Sequence, residues 1–206
     1  MSALNAFVTD DATFLFSDAA ICHPQTLALA GLMNKVEIFP QYCAAVAATG
    51  RTSAMGHLFA VLAAHDFADR KYFVDNIPNI IRRLAQEAPD QFEGFRIVIA
   101  GPGSLFCIQA DEGIGTKPFE MTECPVFITP AAVDENDRSI IDMKFDAEQP
   151  AQSGLAIMRA QREKFAVIGG WCQMTTIKPN HIETRILERW PDKIGERINP
   201  EIRSVA

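Results

Sequence analysis

A four-layer α+β sandwich, an αββα stack of two antiparallel sheets with helices on their outer faces, is the fold class this sequence predicts. Three observations predict it. Short apolar runs come in pairs around tight turns, the pattern of β-hairpins. Two helical patterns follow the first two hairpins, and a third helix stands between two later groups of strands. The order of strands, two helices, strands, one helix and strands is not the βαβα alternation of a Rossmann fold.

Each element has a local reason. Residues 3–8 and 12–17 form a hairpin around Asp10-Asp11. Residues 24–33 (PQTLALAGLM) fit either a loop with a short strand or a helical turn. A second hairpin spans 35–39 and 42–48 around Pro40-Gln41, and the small residues of YCAAVAA let another layer approach. Thr52 or Ser53 is placed to cap a helix whose Met55, Leu58, Phe59, Leu62 and Phe67 recur every three or four residues. A second helix is predicted over 74–88, with Pro78 in its first turn and Ile77, Ile80, Ile81 and Leu84 as its apolar stripe. Residues 95–100 form a buried strand closed by Gly101-Pro102-Gly103, and Leu105–Gln109 pairs back on it. Residues 125–132 read as extended and Asp134–Asp137 as a polar turn. The third helix lies between Ala147 and Phe165, with Leu155, Ile157, Met158 and Phe165 apolar. Gly169-Gly170 breaks it. Trp171–Ile177, a turn at Lys178-Pro179-Asn180 and His181–Leu187 complete the strands. The polar tail from about 191 is expected to be loosely packed.

The chain has 206 residues, so one domain spanning 1–206 is expected. A net charge of −7 argues against nucleic acid or an anionic membrane as main partner. No apolar run approaches the roughly 20 residues that span a bilayer, and no basic segment precedes an apolar core as in a signal peptide. A cytoplasmic protein is the expectation.

The five cysteines, Cys22, Cys43, Cys107, Cys124 and Cys172, form no C-x-x-C pair and read as small reduced core residues. His57 and His65 are eight positions apart on one helix rather than the four of a zinc pair. Gly101-Pro102-Gly103 lacks a following helix, and Gly113-Ile114-Gly115-Thr116-Lys117 lacks the phosphate-loop spacing. No metal and no cofactor is therefore expected.

The N-terminus holds the one arrangement that points to chemistry. Removal of Met1 would set the Ser2 hydroxyl beside its own α-amine. An amine with a pKa of about 8 can act as base to that hydroxyl. Asp18 follows at the end of the second strand candidate, and Lys35 opens Lys35-Val36-Glu37-Ile38. Taken singly, Ser2 is an ordinary residue after methionine, Asp18 a hairpin-end carboxylate and Lys35 a solvated strand end.

This order resembles that of the N-terminal-nucleophile hydrolases, most of all their proteasome β-subunit branch. There one hairpin carries the nucleophile and a second the lysine. Two helices, a strand of the type IVIAG, a helix and a Gly-Gly step then follow. The likeness spans roughly residues 2–110 and, more loosely, 145–187. It implies that Ser2 stands for the family's N-terminal threonine and that Asp18 stands for the aspartate that holds the lysine. Lys35, allowing one residue of slip, stands for that lysine. The oxyanion donor would be a backbone N–H in Ala47-Ala48-Thr49-Gly50, near Ala48 or Gly50. The sequence departs where the family has an aspartate and a serine before the Gly-Gly step: here stand Phe165-Ala166-Val167-Ile168. Two functions follow from the resemblance. One is a hydrolase of peptide or amide bonds; the other is a non-catalytic structural or assembly protein. Either would form a closed homo-oligomer.

Overall fold

A computed structural model describes residues 2–111, 117–131 and 137–199. Residues 113–115 and 134–136, read above as a loop and a turn, lie outside the described residues.

The first sheet has the order β10-β1-β2-β11-β12 and the second β5-β6-β7-β8-β9, with every pairing antiparallel. In the first, β1 (Leu4–Val8) and β2 (Thr13–Asp18) are the predicted hairpin. They are joined by β10 (Val126–Thr129), β11 (Trp171–Lys178) and β12 (His181–Arg189). The second holds β5 (Val36–Phe39), β6 (Ala44–Thr49), β7 (Arg96–Gly101), β8 (Ser104–Gln109) and β9 (Met121–Glu123). A separate ribbon pairs β3 (Ala20–Cys22) with β4 (Leu29–Leu32), which decides the ambiguous 24–33 segment in favour of a loop and short strand.

Alternation along the strands builds the layers. Leu4, Ala6 and Leu15 of the first sheet meet Ala45, Ala47, Val98 and Ala100 of the second, so alanines let the two sheets close on one another. The opposite face of the second sheet carries Val46, Ala48, Ile97 and Ile99 against α1 (Thr52–Ala64) and α2 (Arg70–Glu87), with the short α3 (Pro89–Phe92) between α2 and β7. The opposite face of the first sheet carries Phe7, Phe14, Phe16 and Met174 against α4 (Pro150–Lys164). The stack is helix, sheet, sheet, helix, as predicted.

Local details differ from expectation in three places. The residue that caps α1 is Arg51, and no side chain caps the helix; Phe67 lies past the helix end yet in the same core. The start of α2 is a full turn earlier than predicted, because Asp69 accepts a hydrogen bond from the Tyr72 N–H and nucleates it there. Pro78 therefore sits in the helix interior, where it removes one N–H donor. The segment after Trp190, expected to be loose, is held through residue 199: Ile198 is buried against Ala20 and Leu29, and Leu29 exchanges backbone bonds with Gly195 and Glu196.

The contact of α4 with the first sheet tolerates no added atom at Gly154, whose Cβ would lie 2.1 Å from the ring of the buried Phe16. Gly154→Ala is accordingly expected to lose about 1–3 kcal/mol, or roughly 2–12 °C in Tm, by overpacking. A thermal melt checks this; an unchanged or raised Tm would mean that the helix slides away freely. Two turns further on, Gln161 and Asn5 exchange two side-chain hydrogen bonds of 2.7 and 3.0 Å in the same buried layer, and Gln161 also donates to the Pro130 carbonyl.

Candidate functional site

Three elements deliver the N-terminal residues to one place. Ser2 leads into β1, Asp18 ends β2 and Lys35 directly precedes β5. Pairing of Leu4 with Ser17 brings the start of β1 beside the end of β2, and Ala48 donates its N–H to the Lys35 carbonyl at 3.2 Å. Lys35 thereby reaches from the second sheet to the first. Its Nζ donates to Asp18 Oδ1 at 2.7 Å and to Ser2 Oγ at 2.9 Å. Lys35 and Asp18 are each 1% exposed and Ser2 7%, so water screens little of this interaction.

Burying such a pair is costly unless every polar atom finds a partner. Asp18 finds four. Besides Lys35, Oδ1 accepts the Ala3 N–H at 2.9 Å, and Oδ2 accepts the Ala20 N–H at 3.1 Å and the Gly169 N–H at 3.3 Å. The Ala3 carbonyl in turn accepts the Asp18 N–H at 3.2 Å. Ala3 is gripped on both sides by Asp18, which fixes the backbone immediately behind Ser2.

Because its N–H is spent on Lys35, Ala48 has no backbone donor left for a ligand. Gly50 differs: its N–H makes no hydrogen bond among the described residues. Its φ of +137° and a would-be Cβ 2.5 Å from the Phe95 ring both require glycine.

A second buried carboxylate adjoins the first. Asp192, 3% exposed at its side chain, forms a bidentate pair with Arg162 at 2.7 and 2.9 Å and accepts the Gly170 N–H at 2.8 Å. Two successive glycines thus donate to two carboxylates, Gly169 to Asp18 and Gly170 to Asp192. The Arg162 guanidinium also donates to the Ile168 carbonyl at 2.7 Å and stacks 4.9 Å from the Trp190 ring. The Gly-Gly step is more than a helix stop. A Cβ on Gly169 would lie 2.5 Å from Asp192 Oδ2, and Gly170 has a φ of +78°. Where no aspartate or serine precedes the glycines, Arg162 and Asp192 supply the buried polar groups.

Sequence reasoning missed Arg162 and Asp192. A signal for Arg162 exists: Gly154, Ile157, Met158, Gln161 and Arg162 are the buried stripe of α4, a helical repeat with two polar members. Nothing local marks Asp192. Beyond Lys35, the side chains of Asn34 and Gln173 share a 2.9 Å hydrogen bond that links the start of β5 to β11.

The cysteines are not all isolated. Cys107 and Cys124 share a hydrogen bond that lowers the Cys107 thiol to about 7 and pushes Cys124 up, while burial pushes Cys172 up. Among the described residues no three His, Cys, Asp or Glu side chains gather as a metal site, and no helix is long and apolar enough to cross a membrane.

The helix–sheet–sheet–helix stack, with a lysine reaching across the sheets to the first residues of β1, is a proteasome-like fold. Two solved structures share it. One is a mutant of Anbu from Hyphomicrobium sp. strain MC1, at 11% identity and a TM-score of 0.72, covering 94% of this chain and 89% of that one. The other is Anbu, described as an ancestral beta-subunit, from Yersinia bercovieri, at 13% identity and a TM-score of 0.68, covering 90% of this chain and 86% of that one. No family model matches the chain, and no curated protein matches it. The likeness is one of fold, at low sequence identity.

Proposed function

We propose that this protein is an N-terminal-nucleophile amidohydrolase or peptidase of proteasome-like type, with Ser2 as nucleophile after removal of Met1. The observation that carries the reading is the buried Lys35 ammonium, held by Asp18 and donating to Ser2 Oγ at 2.9 Å. A solvated strand end needs no such burial, and a charge placed against a hydroxyl favours negative charge on that oxygen.

Each residue then has one task. Ser2 Oγ attacks the carbonyl carbon of an amide while the freed α-amine accepts the hydroxyl proton. Lys35 is a donor to Oγ and not the base; it stabilises the charge developing there. Asp18 holds Lys35 and the Ala3 backbone. Gly50 N–H is the donor offered to the tetrahedral oxyanion. The amine leaving group takes the proton from the α-amine, and water then releases the acyl group from Oγ. The same reading expects a closed homo-oligomer around the site.

Intact mass is the first measurement. A mass short of one methionine, with hydrolysis of a peptide or ester substrate that rises with pH and levels above about 8, supports the α-amine as base. A mass that retains Met1 overturns the reading, because an amide nitrogen accepts no proton. The second reading, a proteasome-like structural protein without catalysis, draws on the absence of an aspartate and a serine at 165–168. Under it, the mature protein acylates with no inhibitor whatever its N-terminus.

A further inference from the structure

We propose that β12 is an interface for a second copy of this chain, the two strands pairing antiparallel about a two-fold axis at Thr184. The proposal does not depend on catalysis.

Sheet edges offer unpaired N–H and C=O groups, and proteins that leave them free keep them short. Three of the four edges of the two large sheets obey this: β10 and β5 have four residues each and β9 has three. The fourth, β12, has nine, and residues 183–186 are all exposed.

The sequence along this edge is self-complementary. With Thr184 opposite itself, Glu183 of one copy faces Arg185 of the other, Arg185 faces Glu183, and Ile182 and Ile186 face each other twice. Register with β11 sets the faces: Ile182, Thr184 and Ile186 share the inner face of the sheet, and Glu183 and Arg185 share the face toward α4. Every opposed pair therefore meets on the same face. Ile186, 40% exposed in the single chain, gains an apolar partner. Among the described residues Arg185 forms no ion pair, and Glu183 has only the exposed His181 at 3.9 Å.

Charge also fixes the register. A centre on Glu183 or Arg185 would set like charges opposite each other, which antiparallel pairs disfavour. The centre at Thr184 gives two opposite-charge pairs instead. This is an isologous contact, in which residue i meets j and j meets i.

Two experiments test the pairing. Thr184→Cys should form a covalent dimer on mild oxidation with glutathione disulfide, beyond anything the parent forms. Opposed antiparallel residues have Cα atoms about 4.5–5.5 Å apart, within disulfide reach. Ile182→Cys, facing Ile186, should not cross-link. In parallel, Glu183→Arg and Arg185→Glu should each weaken self-association by about tenfold or more, seen as a lower mass in sedimentation velocity. Mixing the two variants should restore pairing, since each chain then carries the sign the other needs. A Thr184→Cys protein no more cross-linked than the parent, or a mixture that stays as dissociated as its components, overturns the proposal.

Discussion

Ser2→Ala is expected to abolish hydrolysis while leaving the fold in place. Loss of a serine nucleophile removes on the order of 10⁶ of the rate, because no neighbouring group replaces the covalent step. The structural cost is small by comparison. Lys35 Nζ loses one acceptor of the two it has and keeps Asp18 at 2.7 Å. A lost buried hydrogen bond of this kind costs about 1–3 kcal/mol, roughly 2–12 °C in Tm. The pairing of large kinetic loss with small thermal loss is the signature to look for. Ser2→Thr keeps both hydroxyl and amine and should retain activity. A Ser2→Ala protein that hydrolyses as fast as the parent removes Ser2 from the mechanism and leaves the structural reading.

The largest effect on stability is expected from splitting the Lys35–Asp18 pair, and the two halves should not be equal. Removing one partner of a buried ion pair costs about 3–5 kcal/mol, since the other charge is left without compensation. Lys35→Met leaves a carboxylate that still accepts the N–H groups of Ala3, Ala20 and Gly169. Asp18→Asn leaves an ammonium with no counter-charge, held only by the Ser2 hydroxyl and a neutral amide oxygen. It also turns an amide N–H₂ toward backbone donors. Asp18→Asn should therefore lie at the top of the range and Lys35→Met at the bottom. Urea denaturation at neutral pH measures both. Equal losses would mean that the three backbone donors contribute little. A Lys35→Met protein as stable as the parent would mean that the pair offsets none of its own burial cost.

Much of this fold is legible because apolar alternation is a strong signal. Both N-terminal hairpins, the 96–109 hairpin and the 171–189 hairpin lie within a residue or two of where the sequence puts them. The misses have causes of the opposite kind. The first turn of α2, Arg70-Lys71-Tyr72, has no apolar face to announce it, and its start is set by one side chain, Asp69. Strand β9 has three residues and one clear hydrophobe, too little for a period. The site divides the same way. Ser2, Asp18 and Lys35 lie on hairpins whose registers are strongly patterned, so their meeting follows from strand pairing. Arg162 and Asp192 meet through the tertiary path of the segment after β12, and only three dimensions reveal that a tail aspartate stands beside the first carboxylate.

The twin glycines make the site a meeting of early and late segments of the chain. Asp18 and Lys35 leave the ribosome early, but Gly169 and Gly170 come much later and Asp192 later still. A nascent chain with its first hairpin folded has no Gly169 N–H on Asp18, and Arg162 waits without its carboxylate. The order of synthesis thus withholds the complete arrangement around Ser2 until nearly all of the chain described here has emerged, so that a half-made protein carries Ser2, Asp18 and Lys35 without the late residues that hold them.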